Sequence, residues 1–507
     1  MEGKFKTKPY LHQFDCLNRF GKRDYFALTS EMGTGKTWII INNIADLWAE
    51  GECDSALVLA PNGVHTNWVM IELPKHMPDW CNYRVAAWFS APKRQEVAAL
   101  DALHKPDGKG QLRILTMNHE ALQTKRGMEF AKRFCATSGK LMIVADESDA
   151  FKNPSSIRTK NLMALKRYST KRRIMTGTPV DQAPFDLFSQ YSFLDEFLLG
   201  TTSYYAFKSE YSEILHDGHP LLEAIKKKLA KKGGANRRAP QIVARDSEGQ
   251  PKYRNLDRLH KLIAPHTFRV LKKDCLDLPE KIYKNVFFDM TKEQRAAYQK
   301  AKNELRLTLA GEDTPFNRLA AAVKLSQITS GYYLHPNADE PVRIPGGNPK
   351  LDAMAARVAA AIQGGEKVIV WARYRVEIED IVQRLREDGI ACVQYHGGTK
   401  RGDRTKAIEE FERGSAQVFV GNQQAGGTGI TLVAASCVIY FSNDFRLRNR
   451  RQSEDRSHRI GQKRAVVYYN LAARGTIDES VIRVLARKAE VADAVVDGKL
   501  EDCALWG

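Results

Sequence analysis

The stretch SEMGTGKT, Ser30 to Thr37, brings together glycines, a lysine and a hydroxyl in an order that could hold a phosphate group. Gly33 and Gly35 permit a tight turn, and the backbone N–H groups of such a turn meet the start of a helix, where partial positive charge favours phosphate. Lys36 would reach the β- and γ-phosphates of a nucleotide, and the Thr37 hydroxyl would bind Mg²⁺. The spacing therefore predicts a nucleoside triphosphate site. A glycine turn with a surface lysine is the alternative.

The segment VADESDAFKNPSS contains a pair of carboxylates, Asp146 and Glu147, directly after an apolar run. Ligands of parallel α/β sheets bind beyond the carboxyl ends of the strands, so this pair stands where a second part of a nucleotide site belongs. Asp146 would hold Mg²⁺ through water, and Glu147 would orient and deprotonate the attacking water. The hydroxyls of TGTP, Thr176 to Pro179, could sense the γ-phosphate. The alternative is an ordinary acidic turn at the end of a strand.

Short apolar runs that alternate with helical stretches must position these residues. Near-continuous β-branched runs separated by helical spacing, such as that of Trp38 to Trp48, are typical of a parallel sheet covered on both faces. The predicted strands of this first series are Tyr25 to Thr29, Ala56 to Pro61, Arg113 to Asn118, Leu141 to Glu147 and Arg172 to Pro179.

A second alternating series follows late in the chain. Its predicted strands are Lys367 to Ala372, Ala391 to His396, Gln417 to Asn422, Cys437 to Ser442 and Ala465 to Leu471. The charged stretches between the two series have helical spacing. The sequence therefore predicts an α/β fold with two doubly wound parallel-sheet lobes. We place lobe 1 at residues 1–200, a helical insertion and linker at 201–345, lobe 2 at 346–480 and a C-terminal helical segment at 481–507.

The net charge favours a polyanionic partner. Of the 507 residues, 78 are lysine or arginine and 60 are aspartate or glutamate, which gives a formal charge of +18. The basic residues cluster at Lys171 to Arg173, Lys226 to Arg238 and Phe445 to Arg451. None of these clusters adjoins a strong amphipathic aromatic anchor, which favours nucleic acid over a membrane surface. For each cluster taken singly, a solvated charge run is the alternative.

The remaining composition narrows the class of protein. No apolar run reaches about 18 residues, and the N-terminus lacks the apolar core of a signal peptide, so a cytoplasmic protein is expected. The eight cysteines are scattered without a C-x-x-C pair. Neither zinc ligation nor a disulfide framework is indicated, and we expect reduced, mostly buried thiols.

The order of the motifs resembles that of the superfamily-two helicase-like ATPases of the Swi/Snf class, from about Lys8 to Ile482. KPYLHQ is similar to the adenine-reading segment of that family, and SEMGTGKT to its DEMGLGKT phosphate loop. Two nucleic-acid contact motifs of the family resemble LVLAPNGVHTNW and ILTMNHEAL. Its acidic Walker B motif is similar to DESDAFKN, and its coupling motif is similar to MTGTPVDQAPFDLFSQYSFL. The stretch Phe268 to Tyr298 resembles an Arg-Arg-x-Lys, Leu-Pro-x-Lys and Gln-x-x-x-Tyr sequence that general helicases lack.

The late part of the chain adds YHGGTKRGDRTKAIEEF, FVGNQQAGGTGITLVAASCVIYFSNDF and QSEDRSHRIGQ to the resemblance. In the last of these, Arg456 and Arg459 are three residues apart and would share one face if the segment is helical. The resemblance implies that both guanidiniums stabilise transition-state charge on the triphosphate. It also implies that Gly429 and Thr431 approach the ribose and phosphates.

Further roles follow from the resemblance residue by residue. It implies two RecA-like lobes that close on ATP and Mg²⁺, with Gln13 as the adenine contact. The loop residues implied to bind ATP are Gly33, Thr34, Gly35, Lys36 and Thr37. The implied nucleic-acid contacts are Asn67, Trp68, Thr176, Thr178, Lys226, Lys227, Lys228, His396 and Gly397.

Some residues depart from the family pattern. Asp149 replaces the usual histidine of the acidic motif, but DEAD-box relatives also have a carboxylate there, so ATP hydrolysis is still expected. Thr431 stands where many members have asparagine, and DFRLRN replaces an Asp-x-x-Trp-Asn-Pro element. The DES triplet and this threonine are more similar to the strand-annealing branch than to nucleosome remodellers.

The resemblance implies an ATP-driven translocase on double-stranded DNA. Branched DNA or a DNA-bound protein could be its target, and we expect a monomer of a minimal bacterial or phage type in the bacterial or infected cell's cytoplasm. A strand-separating helicase on DNA or RNA is the second hypothesis. A non-hydrolysing nucleic-acid clamp is the third, and the intact Lys36, Glu147 and arginine pair argue against it.

Overall fold

Two series of apolar runs become two separate units in the computed structural model. The structure describes residues 4–104, 110–220, 222–223, 226, 241–247, 250–311, 315–334, 340–399, 401–424 and 430–498. Unit 1 comprises Met1–Cys275 and Glu490–Gly507, and unit 2 comprises Leu276–Ala489. The units thus divide inside the segment for which we predicted a separate helical insertion at residues 201–345.

Unit 1 is built on a parallel sheet. Its strands are β1 (Tyr25–Leu28), β2 (Ser55–Ala60), β3 (Tyr83–Ala87), β4 (Leu112–Asn118), β5 (Leu141–Asp146), β6 (Ser169–Met175) and β7 (Thr267–Phe268), in the order β3-β4-β2-β5-β6-β1-β7. All five strands predicted for this lobe are present. The prediction missed β3 and β7, both at sheet edges, because β3 is only partly buried and β7 has two residues.

Helices cover this sheet. Those of unit 1 with described bounds are α1 (Leu11–Phe20), α2 (Lys36–Ala49), α3 (Val64–Asn67), α4 (Leu73–His76), α5 (Arg94–Leu103), α6 (Lys125–Ala136), α7 (Ile157–Lys166), α8 (Leu187–Leu194), α9 (Tyr204–Glu210), α10 (Leu256–Ile263) and α11 (Lys272–Cys275). Helix α2 buries Ile39, Ile40, Ile41 and Ile44 in the main apolar core of the unit. Nine of its fourteen residues are apolar, which fits a helix that packs against a sheet.

The basic cluster Lys171 to Arg173 is part of this core and not a surface patch. Arg173 is fully buried, and its guanidinium donates to the carbonyls of Gly21 and Arg23 at 3.2 and 2.9 Å and to Asn43 Oδ1 at 3.0 Å. Lys171 is also buried and pairs with Asp24 at 2.9 Å. Because these donors are used inside the protein, the nucleic-acid interpretation of this cluster is wrong.

Unit 2 is built on a second parallel sheet. Its strands are β8 (Lys281–Phe288), β11 (Lys367–Ala372), β12 (Cys392–Tyr395), β13 (Val418–Asn422), β14 (Ala435–Tyr440) and β15 (Val466–Ala473), in the order β12-β13-β11-β14-β15-β8. A separate antiparallel pair consists of β9 (Tyr332–Tyr333) and β10 (Val342–Arg343). The five strands predicted for this lobe are present, and β8 adds an edge strand within the predicted insertion.

The helices of unit 2 with described bounds are α12 (Lys292–Gly311), α13 (Pro315–Thr329), α14 (Pro349–Gln363), α15 (Arg375–Glu387), α16 (Arg401–Arg413), α17 (Leu447–Glu454) and α18 (Ile477–Asp497), of which residues from Glu490 onward belong to unit 1. Two apolar clusters lie on the two faces of the unit 2 sheet. Strand β11 contributes Val368 and Val370 to one cluster and Ile369 and Trp371 to the other, as expected for a strand covered on both faces.

The thiols agree with the expectation of reduced, mostly buried cysteines. The seven described cysteines form no disulfide, and Cys275 and Cys392 alone among them are partly exposed. Burial raises the pKa of Cys53, Cys81, Cys135 and Cys437 to about 12. Within the described ranges, every helix is too short or too polar to cross a membrane.

A buried ion network joins β8 to the end of α17 in unit 2. Glu454 accepts from Arg450 Nε at 2.7 Å, Lys281 Nζ at 3.2 Å and the Tyr283 hydroxyl at 2.8 Å. Burial alone would raise the pKa of Glu454, but Lys281 and Arg450 outweigh burial and lower it from 4.5 to about 2. The basic cluster Phe445 to Arg451 therefore places Arg450 inside the unit, with its guanidinium carbon 3.5 Å from the centre of the Tyr440 ring.

We predict that this network stabilises unit 2 in a pH-dependent way. Because the folded pKa of Glu454 is depressed, its contribution is complete above about pH 4.5 and declines as the pH falls towards about 2. Glu454→Gln removes the ion pair of the buried Arg450 and leaves Lys281 with only Asp455, at 3.9 Å, so it should cost about 3–5 kcal/mol at neutral pH. Thermal unfolding of wild type and variant at pH 7 and pH 3 should show a smaller difference at the lower pH.

Glu379→Gln is the matched control, because Glu379 pairs with Arg375 on an exposed helix surface. Such a pair is worth about 0.3–0.5 kcal/mol, so this variant should melt close to wild type at both pH values. An equal loss of melting temperature at pH 7 and pH 3 in Glu454→Gln would contradict the assigned role of the ion pairs.

Candidate active site

The phosphate loop of unit 1 joins β1 to α2. Gly33 and Gly35 have φ values of +80° and +81°, which residues with a side chain rarely adopt. Lys36 Nζ donates to the carbonyls of Ser30 and Glu31 at 2.8 and 3.0 Å, and Thr34 Oγ1 donates to the same Glu31 carbonyl at 2.8 Å. The predicted order of strand, glycine turn and helix is therefore present, with Lys36 and Thr37 opening α2.

Gln13 of α1 packs directly against this loop. Its Oε1 accepts from the Tyr10 N–H at 2.9 Å, and its Nε2 lies 3.4 Å from the carbonyls of Thr34 and Gly35. A Cβ atom on Gly35 would lie 2.1 Å from the same Nε2. The structure thus brings the predicted adenine contact into the loop. Gly35 is required both by its backbone angle and by this close approach.

The acidic pair lies at the carboxyl ends of the strands, where the phosphate loop also begins. Asp146 ends β5 and Leu28 ends β1, and both pair with Met175 of the intervening strand β6. Asp146 is 7% exposed, and its Oδ2 accepts from the indole N–H of Trp68 at 3.1 Å. Burial first and the neighbouring Glu147 second raise the pKa of Asp146 to about 7, whereas Trp68 and Lys36 lower it. A cation beside Asp146 would therefore favour its charged form.

Glu147 follows in a strained conformation. Its φ of +49° is left-handed, and among the described residues only Asn255 shares this feature without being glycine. Such strain costs about 1–3 kcal/mol and persists where surrounding contacts impose it, commonly at functional sites. The turn points the Glu147 carboxylate towards the coupling motif, where Thr176 Oγ1 lies 3.4 Å from Glu147 Oε2.

The coupling motif contacts the acidic motif and the phosphate loop. Thr176 Oγ1 also lies 3.5 Å from Asp149, and the N–H of Thr178 donates to Thr176 Oγ1 at 3.1 Å. A Cβ atom on Gly177 would lie 2.7 Å from Cγ of Met32 in the loop. Both threonines are buried. The prediction that these threonines contact nucleic acid directly therefore does not fit their burial.

The sequence alone indicated no individual role for Arg269 and Lys272, which lie in the family-specific stretch Phe268 to Tyr298. The Arg269 guanidinium donates to the Thr29 carbonyl just before the loop and pairs with Asp497 at 2.7 Å. The Lys272 N–H donates to Glu31 Oε2 at 2.5 Å, and the Glu31 N–H donates to the Val270 carbonyl at 3.0 Å. This segment thus supports the phosphate loop. The one signal was the family-specific FRVLKK, because β7 is too short to show periodicity.

The arginine pair of unit 2 lies in a turn and not on a helix. Helix α17 ends at Glu454, and Arg456, which is 8% exposed, donates to the Ile430 carbonyl at 3.3 Å. The condition for a shared helical face, a helix through Arg456 and Arg459, is therefore not met. In this turn, His458 Nε2 lies 2.7 Å from the Pro279 carbonyl. Arg459 is half-buried in the same turn.

Thr431 and Gly429 are the predicted ribose and phosphate contacts of unit 2. Thr431 lies beside Arg456. The Leu432 N–H donates to the Arg456 carbonyl at 2.9 Å, and Ile430 accepts from the Arg456 side chain, so Thr431 is held between these two contacts. Gly429 lies outside the described residues. The structure therefore brings Thr431 and Arg456 together within unit 2.

The predicted nucleic-acid contacts have different environments. Asn67 and Gly397 are exposed, and His396 is half-buried with its Nδ1 3.1 Å from the Gly398 nitrogen. Trp68 is 1% exposed and cannot offer its ring to a base, which corrects its predicted role. Lys226 pairs with Asp217 and Glu223 at 2.8 and 2.9 Å. Lys227 and Lys228 lie outside the described residues.

The residues around the loop fit a magnesium nucleotide. Lys36, the Thr37 hydroxyl and the Asp146 carboxylate supply the cation and oxygen donors that a triphosphate and Mg²⁺ require. Thr29 Oγ1, Ser30 Oγ and Thr178 Oγ1 are buried around the loop and make no hydrogen bond within the described part of the chain. Buried hydroxyls without partners are costly, and phosphate oxygens or their bound water would satisfy them.

Comparison with known proteins identifies the family. Residues 26–331 match the model of the SNF2-related domain, and residues 350–461 match that of the helicase conserved C-terminal domain. An uncharacterized ATP-dependent helicase of Mycoplasma pneumoniae is 25% identical over 94% of this chain and 40% of its own length. The putative ATP-dependent helicase/translocase YwqA of Bacillus subtilis is 23% identical over 93% of this chain and 46% of its own length.

Among solved structures, the Sulfolobus solfataricus SWI2/SNF2 ATPase core in complex with double-stranded DNA is similar, with 25% identity, coverage of 98% of this chain and 95% of that one, and a TM-score of 0.41. The chain spans less than half the length of the two curated relatives. The family-model match covers more than half of the chain and confirms the resemblance to the Swi/Snf class. This chain belongs to the SNF2-related family of helicase-like proteins.

Proposed function

We propose that this chain hydrolyses ATP and uses the cycle to move along double-stranded DNA. The observation that carries the proposal is the position of Asp146 and Glu147 at the carboxyl end of β5, beside the carboxyl end of β1 from which the phosphate loop leaves. In a parallel α/β sheet, nucleotides bind beyond the carboxyl ends of the strands. Membership of the SNF2-related family and the names of the helicase relatives support the same activity.

The reaction that we propose is attack of water on the γ-phosphate. Lys36 binds the β- and γ-phosphate oxygens, and Thr37 and Asp146 are the residues that would hold Mg²⁺, with Asp146 acting through water. The bound metal would neutralise charge that develops on the phosphates. Glu147 orients the attacking water and accepts its proton, so that the bond to the leaving ADP breaks as the new P–O bond forms. Thr176 holds the Glu147 carboxylate in position.

Arg456 and Arg459 remain our candidates for stabilising the transition state. The Arg456 backbone carbonyl accepts from the Leu432 N–H, and one guanidinium nitrogen donates to the Ile430 carbonyl at 3.3 Å, so both its backbone and its side chain are anchored in the turn. A pre-organised guanidinium loses little entropy when it meets a phosphate. Thr431, between these contacts, is our candidate for the ribose or phosphate contact in unit 2.

Double-stranded DNA is the substrate that we propose. The net charge of +18 suits a phosphate backbone, although the burial of Arg173 and Arg450 shows that part of this charge is structural. Contacts to phosphates carry no sequence information, so movement should be sequence-independent and sensitive to salt. Branched DNA or a DNA-bound protein are the targets that we propose for a monomeric motor. The name helicase among the relatives supports strand separation as the second candidate.

Substitutions in the acidic motif and the loop should separate ATP binding from chemistry. Lys36→Ala should abolish turnover because the phosphate contact is lost, whereas Glu147→Gln should still bind ATP and lose turnover because only the base changes. Binding of a fluorescent ATP analogue and steady-state phosphate release would measure the two steps. Lys132→Ala and Glu129→Gln, on exposed positions of α6, are the matched controls. Near wild-type turnover in Glu147→Gln would refute its role as the base.

The arginine pair should affect turnover more than nucleotide affinity. Arginines that stabilise the transition state are worth about 10³–10⁵ in turnover in related nucleotide hydrolysis, so Arg459→Ala and Arg456→Ala should lower kcat by orders of magnitude. Arg375→Ala, which removes an exposed arginine of unit 2, should leave kcat unchanged. Normal hydrolysis by both variants on saturating DNA would show that the stabilising cations lie elsewhere.

The type of nucleic acid should distinguish the two candidate functions. We predict that duplex DNA stimulates ATP hydrolysis more than single-stranded DNA or RNA. We also predict that the protein displaces the third strand of a triplex without separating a plain duplex. Phosphate release with each nucleic acid and a gel-based displacement assay measure both. Efficient unwinding of a tailed duplex, with the strongest stimulation by single strands, would instead establish the helicase function.

A further inference from the structure

Two segments that resemble nucleic-acid contact motifs both reach Asp146. The indole N–H of Trp68 donates to Asp146 Oδ2 at 3.1 Å, and Nε2 of the buried His119 lies 2.8 Å from the Asp146 backbone carbonyl. Trp68 follows β2 and His119 follows β4, the two strands next to β5 on one side. The residue proposed to hold the magnesium ion is therefore in direct contact with both segments.

The segment from Val64 to His76, here called the Trp68 segment, has exposed residues next to the buried Trp68. Helix α3, a π-helical turn at Trp68–Glu72 and helix α4 follow one another without a break. Asn67 is exposed, as are Met70 and Ile71 at 75% and 53%, whereas Trp68 is 1% exposed. π-Helical turns are rare and occur frequently at functional sites. Here the turn lets one short segment carry an outer surface and, beside it, an indole that reaches the metal-site carboxylate.

The two contacts with Asp146 differ in what they can control. His119 meets a backbone carbonyl whose position is already set by β5, because Asp146 pairs with Met175 in the sheet. Trp68 meets the carboxylate itself, whose orientation depends on side-chain rotation. A hydrogen bond to a buried carboxylate is charge-assisted and among the stronger ones in proteins. Small shifts of the Trp68 segment would therefore change the orientation of Asp146.

We propose that Trp68 is a positioning residue that couples DNA binding to the metal site. This coupling rests on the proposed function, since it requires DNA on the outer surface of the Trp68 segment. DNA held against Asn67 and Met70 fixes the segment, and Trp68 then holds the Asp146 carboxylate in the orientation that receives the magnesium nucleotide. Because coupling between two sites is reciprocal, nucleotide binding also strengthens DNA binding through the same contact.

The test compares Trp68→Phe with wild type and with Trp38→Phe. The control is matched because Trp38 is also buried in the unit 1 core and its indole donates to Thr7 Oγ1 at 2.9 Å, away from Asp146. Two equilibrium measurements are made: DNA affinity by fluorescence anisotropy, and binding of a fluorescent ATP analogue over a magnesium titration with and without duplex DNA. The ratio of DNA-stimulated to basal turnover is measured alongside them.

We expect wild type and Trp38→Phe to need less magnesium for nucleotide binding when duplex DNA is present. Trp68→Phe should bind nucleotide-free duplex DNA as wild type does, because the ring is buried, yet lose most of the magnesium shift. Its stimulation ratio should fall by about fivefold or more, the usual size of such couplings. Trp68→Leu, which also lacks a hydrogen-bond donor, should behave like the Phe variant and serves if that variant does not fold.

Three results would overturn the proposal. The first is an unchanged magnesium shift and stimulation ratio in Trp68→Phe. The second is a loss of affinity of Trp68→Phe for DNA without nucleotide, which would show direct contact. The third is an equal defect in Trp38→Phe, which would show a general packing effect. A wild-type protein whose turnover does not respond to any nucleic acid would instead contradict the proposed function. The failure of the coupling and the failure of the function are therefore distinguishable.

Discussion

The buried carboxylate of Asp146 is the constraint around which unit 1 is organised. A charge with 7% exposure beside a second carboxylate is costly unless donors or cations surround it, and burial together with Glu147 raises its pKa. The surrounding elements supply what is needed: an indole from the segment after β2, and the positive charge of Lys36 from the phosphate loop. The strained turn at Glu147 directs the second carboxylate away, towards Thr176.

Net charge alone overstates the surface that is available for nucleic acid. Two of the three basic clusters contain arginines that are buried and fully engaged: Arg173 with backbone carbonyls and Asn43, and Arg450 with Glu454 and the Tyr440 ring. A guanidinium carries five donors in a fixed plane, which suits it to join several chain segments inside a protein. Such clusters look identical in sequence to phosphate-binding patches, and only burial distinguishes them.

The sequence predicted the buried framework better than its edges. All ten predicted strands formed; nine of them are central strands of a parallel sheet, which tend to be continuous apolar runs, and β12 alone among the ten lies at an edge. The sequence analysis missed strand β8 because Tyr283 to Asn285 are exposed at a sheet edge, and Lys284 and Asn285 interrupt the apolar pattern. Within the site, glycine spacing located the phosphate loop. The role of Trp68 could not be predicted, since its partner is 78 residues away and its direction depends on a π-helical turn.

The family-specific stretch after residue 267 explains a further dependence within each unit. Its first part, Phe268 to Lys272, extends the sheet beside β1 and holds the backbone of the phosphate loop in unit 1. Its next part, Pro279 to Tyr283, binds His458 and Glu454 and so fixes the turn that carries Arg456 in unit 2. One short piece of chain thus supports both sets of proposed catalytic residues, each inside its own unit.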